Sequence, residues 1–116
     1  MTFALVILAA LLGLVTSFSA IGKLTMNAKA TEMLHSLGLR DSQIRLLALV
    51  ELLGALGLLI GTWIPILGLL AALGFVVYFL GAVLAHVRKR QPIKDMAPAT
   101  ILLVLSILVT ILQFAR

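Results

Sequence analysis

IRLLALVELLGALGLLIG, residues 44–61, is long enough to cross a bilayer and yet carries a carboxylate, Glu51, inside its apolar run. Centring one charged group in a spanning helix costs about 2.5–3.5 kcal/mol, whereas the eleven Leu, Ile and Val residues here return roughly 0.3–0.6 kcal/mol each, about 5 kcal/mol together. The stretch therefore still inserts with its acid aboard. Intramembrane carboxylates face a bundle interior or a wet cavity and find a partner there, so the reading turns on what Glu51 meets. Gly54, Gly57 and Gly61 fall within about 60° of one another on the helical wheel, and Glu51 borders that stripe. Glycines at this spacing let helices approach closely where lipid supplies no hydrophobic drive.

Working outward, three further apolar segments flank this one, which gives expected spans of residues 2–22, 44–61, 64–86 and 97–114. Each is near the ~20 residues that cover a ~30 Å hydrocarbon core. Only 11% of the 116 residues are charged, against a globular norm of about a quarter. The expected fold is all-α: one domain over residues 1–116, a polytopic membrane four-helix bundle. The longest stretch outside the spans, residues 23–43, is too short to bury a core of its own, so any chemistry belongs in the membrane, at its surface or on a partner.

Helix one carries small residues at four-residue spacing, Ala9, Gly13 and Ser17, as a second packing stripe, and ends in Ser19 and Lys23. The long Lys23 stem can snorkel to the headgroups or turn inward to an acid. In the following loop Ala30, Met33, Leu34 and Leu37 share one face, which predicts a short amphipathic interfacial helix between helices one and two. Asn27 is its expected N-cap and Gly38 its stop, and Asp41 or Ser42 opens the next helix. In the third span Gly68, Ala72, Phe75 and Phe79 lie within about 40° of His86, which crowns that face, and Tyr78 brings a hydroxyl that needs a partner. In the fourth, Pro98 suits a first helical turn, and Pro92 keeps the preceding loop non-helical.

The net charge of +5 does not point to nucleic acid, because the cations sit beside spans. Lys23, Lys29, Arg40 and Arg45 flank the first loop, Arg88, Lys89, Arg90 and Lys94 fill the third, and the second has none. That bias places residues 23–43 and 87–96 in the cytoplasm and both termini outside. With no cysteine, disulfides, thiol redox centres and Cys-ligated metals drop out. Haem held by two histidines needs a pair at matched depth, and only His86 lies within a span. No metal and no cofactor is expected. The candidate polar intramembrane cluster is Lys23, Glu51 and His86, with Gly13, Gly54, Gly57 and Gly61 as helix-packing positions.

FSAIGKL closing helix one, the interfacial segment ending HSLGL, ELLGALGLLIG, and LGAVLAH before a basic loop and a Pro-initiated helix follow one another in order. In this the chain resembles the DoxX-like family, small four-helix members of the DoxX superfamily. The family pattern transfers to Gly22, Lys23, Glu51, Gly54 and His86. The superfamily takes its name from a membrane subunit of an archaeal thiosulfate:quinone oxidoreductase, so the resemblance implies a fold and a prokaryotic inner-membrane location more than a reaction. The expected role is a non-catalytic accessory or scaffold subunit of a membrane complex, a redox or quinone-linked one among the candidates, and not an enzyme on its own. Expected partners are the bilayer and another membrane protein or a second copy. The alternative is a small proton-coupled transporter in which Glu51 titrates against substrate.

Overall fold

Each apolar run forms one continuous helix, because nothing inside it competes for the backbone until a glycine, a left-handed residue or a tight turn ends it. The computed structural model describes residues 2–26, 28–90 and 93–115, with side chains except those of Thr2, Lys29, Ala30, Met33 and Asp95. The elements are α1 (Thr2–Leu24), α2 (Ala28–Ser36), α3 (Asp41–Ile60), α4 (Pro65–Arg88) and α5 (Ile93–Ala115). All but α2 are long and apolar enough to cross a membrane. Among the described residues there is no strand.

The ends follow local chemistry. Met26 at φ 54° closes α1 and Arg90 at φ 53° closes α4, both in the left-handed region. Gly38, at φ 90°, stops α2 and donates its N–H to the His35 carbonyl at 2.9 Å. At the start of α3 the Arg40 N–H donates to the Gln43 side chain at 2.9 Å. Pro65 fills the first turn of α4, where a missing N–H costs nothing.

The helices run a few residues past most of the expected span limits, and the largest difference is at the start of the fourth. Helix α5 starts at Ile93, so Pro98 lies inside it rather than in its first turn. The proline leaves the Lys94 carbonyl without its helical donor. That carbonyl is in the first turn, at the loop end of the bundle, where water can take the donor's place. Of the residues expected to shape α2, Asn27 and the side chains of Ala30 and Met33 lie outside the described residues, as does Pro92. Leu34 is buried and Leu37 half-buried, so α2 packs an apolar edge against α1 and α3.

The four spanning helices form a closed ring. Helix α1 packs most extensively on α3 and α4 on α5, while α3–α4 and α1–α5 contacts complete the circuit, leaving α1 diagonal to α4 and α3 to α5. Leu5, Leu12, Leu58, Ala72, Phe75, Phe79, Leu102 and Val109 fill the interior. The outside is apolar as well, with Phe18, Leu53 and Val77 each more than two-thirds exposed, as expected of helices solvated by acyl chains. At 40 Å, the longest dimension suits a bilayer.

The glycines of α3 set how α3 and α4 meet. A Cβ on Gly54 would strike the Phe75 ring, one on Gly57 the Ala71 methyl, and one on Gly61 the Gly68 backbone. These three pairs share a register: the facing residue numbers sum to 128 or 129 throughout.

Candidate functional site: a buried lysine–glutamate pair

The interior hydroxyls divide into two kinds. Thr16 Oγ1 donates to the Leu12 carbonyl and Ser106 Oγ to the Leu102 carbonyl, each at 2.7 Å, and Thr110 repeats the pattern at 2.8 Å. These side chains satisfy themselves on their own helix, the usual solution in lipid. Ser19 does something else. Its Oγ accepts from Lys23 Nζ at 2.8 Å and points its own proton at Glu51 Oε1, 3.5 Å away.

Lys23 is the centre of that arrangement. One turn beyond Ser19 on α1, it turns its stem inward, and Nζ stands 2.5 Å from Glu51 Oε1. Glu51 is fully buried, whereas the Lys23 side chain keeps 10% of its surface exposed. The ion pair joins α1 to α3, the two helices that pack most closely at this end of α1. Within the bilayer such a pair removes two isolated charges at once, since neither ion is tolerable there alone.

The register between α3 and α4 identifies what else Glu51 meets. Subtracting 51 from the constant sum of 129 gives residue 78, and the Tyr78 side chain does interact with the Glu51 carboxylate. Tyr78 also packs edge-on against Phe79, ring centroids 5.0 Å apart, which limits where its hydroxyl can go. Even so, Glu51 Oε2 has no hydrogen-bond partner among the described residues.

His86 is on the interior stripe of α4 with Gly68, Ala72, Phe75 and Phe79, and is 4% exposed. The same register sets it level with Gln43, eight residues or about 12 Å nearer the loop end than Tyr78. It makes no described hydrogen bond to Lys23 or Glu51, and its Nδ1 is buried without a partner. The structure thus brings Lys23 and Glu51 together, adds Ser19 and Tyr78, and stands His86 apart on the same interior face. A sequence signal for Tyr78 exists: two antiparallel helices joined by a tight turn near Thr62 must face each other at a constant sum of residue numbers.

Gly54, Gly57 and Gly61 occupy the α3–α4 contact. Gly13 does not: a methyl there would meet no atom among the described residues within 4 Å. Instead Gly13 lines a groove of about 370 Å³ between α1 and α3, with Ala9, Ala10, Ser17, Ala55 and Thr62 among its other walls.

Chemically, the site can hold a charge pair and accept a hydrogen bond at Glu51 Oε2, while the Tyr78 hydroxyl and the His86 imidazole add hydrogen-bonding groups on the same interior face. Comparison with known proteins found no match to a curated protein or to a solved structure. The model of one family, described as the DoxX-like family, matches residues 7–109. That match takes in α2 to α4 whole and every residue of the Lys23–Glu51 site, and the chain belongs to the DoxX-like family.

Proposed function

We propose that this DoxX-like membrane protein is a non-catalytic accessory or scaffold subunit, seated in a prokaryotic inner membrane with both termini outside and its basic loops cytoplasmic. The observation that carries the reading is the Lys23–Glu51 pair: the chain answers its own intramembrane acid and thereby ties α1 to α3. A tied pair of helices presents a fixed outer face, and that face holds the Gly13 groove. The partner is another membrane protein or a second copy, met through helix packing.

Co-purification from native membranes in mild detergent, read by mass spectrometry, tests this. One specific partner is expected, diminished when Gly13→Leu fills the groove. Recovery of the bare chain alone refutes the proposal. A second reading, a small proton-coupled transporter using Glu51, draws support from the unpartnered Oε2 and is removed if Glu51→Gln leaves proton-coupled uptake in vesicles unchanged.

A further inference from the structure

Two buried polar atoms of the interior have no partner among the described residues, Glu51 Oε2 and His86 Nδ1. Buried polar groups are rarely left so, and water is the usual answer, making about three hydrogen bonds to groups of this kind. Water can donate to a carboxylate oxygen and either donate to or accept from an imidazole nitrogen.

The surroundings of Glu51 are unequal in the two directions along the bundle. Toward the α3–α4 turn, Gly54 lies under the Phe75 ring, Gly57 against Ala71 and Gly61 against Gly68, and Leu12, Leu58, Ala72 and Val109 are buried between. On that side the Thr16 and Ser106 hydroxyls are spent on their own carbonyls, the buried Gln113 amide packs against Gly68, and Ser17 and Thr62 belong to the groove on the α1–α3 face. Toward α2 stand the Ser19 hydroxyl, the Lys23 ammonium with its partial exposure, and then His86.

We infer that Glu51 Oε2 is a proton-binding site served by water from the α2 end of the bundle alone, with His86 the positioning residue that orders this water. The inference goes beyond the scaffold reading and does not depend on it. In the step itself a hydronium ion gives its proton to Oε2, forming the carboxylic O–H and leaving water. Lys23 then loses its anion, and its ammonium follows the flexible stem toward the headgroups.

The groups facing Glu51 are Ser19 and Lys23 from α1 and Tyr78 from α4. Helix α5 carries Lys94 and Asp95 in its first turn and no ionisable residue after them, and on α2 both Glu32 and His35 are exposed. Facing His86 across the register lies the first half of α3, with Asp41 and Arg45, and Lys94 and Asp95 stand in the first turn of α5.

Because the chain has no cysteine, single-cysteine variants report without background. A small membrane-impermeant methanethiosulfonate is applied to each face of reconstituted vesicles, with Lys89→Cys marking the α2 end and Ile64→Cys the other. Ser19→Cys is expected to react only from the face that labels Lys89→Cys, and Val109→Cys, fully buried in the interior, from neither. Reaction of Ser19→Cys from the Ile64 face, or from neither face, overturns the inference. In a second measurement, infrared difference spectra follow the carboxylic C=O band on acidification. The band is expected in the native chain and absent in Glu51→Gln. His86→Gln, which keeps a hydrogen-bonding side chain, slows its appearance by about 10²-fold without changing its final size. An unchanged rate removes His86 from the pathway, and a band surviving Glu51→Gln refutes the site.

Discussion

Removing one member of the Lys23–Glu51 pair has consequences that depend on which member goes. Lys23→Met deletes the cation and leaves a carboxylate that is fully buried and has no second donor on Oε2. Breaking a buried pair in this way costs about 3–5 kcal/mol, since the remaining charge stays desolvated. Glu51→Gln leaves the other partner, and Lys23 can leave: its side chain is already 10% exposed and lies in the last turn of α1, one turn from the headgroups. The amide still offers its oxygen to Ser19 or Lys23, so this change should cost only about 1 kcal/mol, the worth of an ordinary hydrogen bond. Replacing both partners, Lys23→Met with Glu51→Leu, should recover most of the loss, because a well-packed apolar pair is often no worse than the ion pair it replaces. Unfolding by SDS in mixed micelles, followed through the single tryptophan, Trp63, at the α3–α4 turn, measures all three. The reasoning fails if Lys23→Met costs no more than Glu51→Gln, or if the double replacement costs as much as Lys23→Met alone. Either result would mean that the two side chains do not stabilise each other.

The glycines make a second set of predictions in the same assay. Gly61→Ala sets a methyl against the facing Gly68 backbone, and Gly68→Ala sets one against the Gln113 side-chain amide and the Gly61 Cα; each should cost about 1–3 kcal/mol. Gly74→Ala and Gly81→Ala meet no described atom within 4 Å and should be neutral or stabilising by up to about 1 kcal/mol. Tyr78→Phe removes a hydroxyl that reaches toward Glu51 while keeping the edge contact to Phe79, so a loss near 1 kcal/mol is expected, and it should vanish in a Glu51→Leu background. The His35–Asp41 contact, 2.7 Å long but about half exposed on both sides, should contribute less than about 1 kcal/mol, and His35→Ala should leave unfolding almost unchanged.

Much of the architecture is legible from residues alone because lipid enforces simple rules. Runs of about 20 apolar residues have only helices available to them, and the glycines of α3 mark the face that meets α4. The α2 stop at Gly38 and the α3 start at Asp41 follow from local backbone chemistry in the same way. Pro98 lies inside α5 and not in its first turn, a difference pattern alone does not show, because a helix that starts in a polar loop has no hydropathy edge at its first residue.

Composition and pattern by themselves determined that this chain is a four-helix membrane protein with one acid inside a span, since transfer of apolar area into lipid depends on which residues are present and not on what they touch. Only the tertiary structure decided that Lys23 turns inward to that acid instead of outward to the headgroups, that Ser19 and Tyr78 attend it, and that Gly13 faces a groove while Gly61 faces a backbone. Those outcomes rest on the register and rotation of one helix against the next. A difference of one or two residues there moves a side chain by several ångströms, and nothing in a single helix's own sequence encodes it.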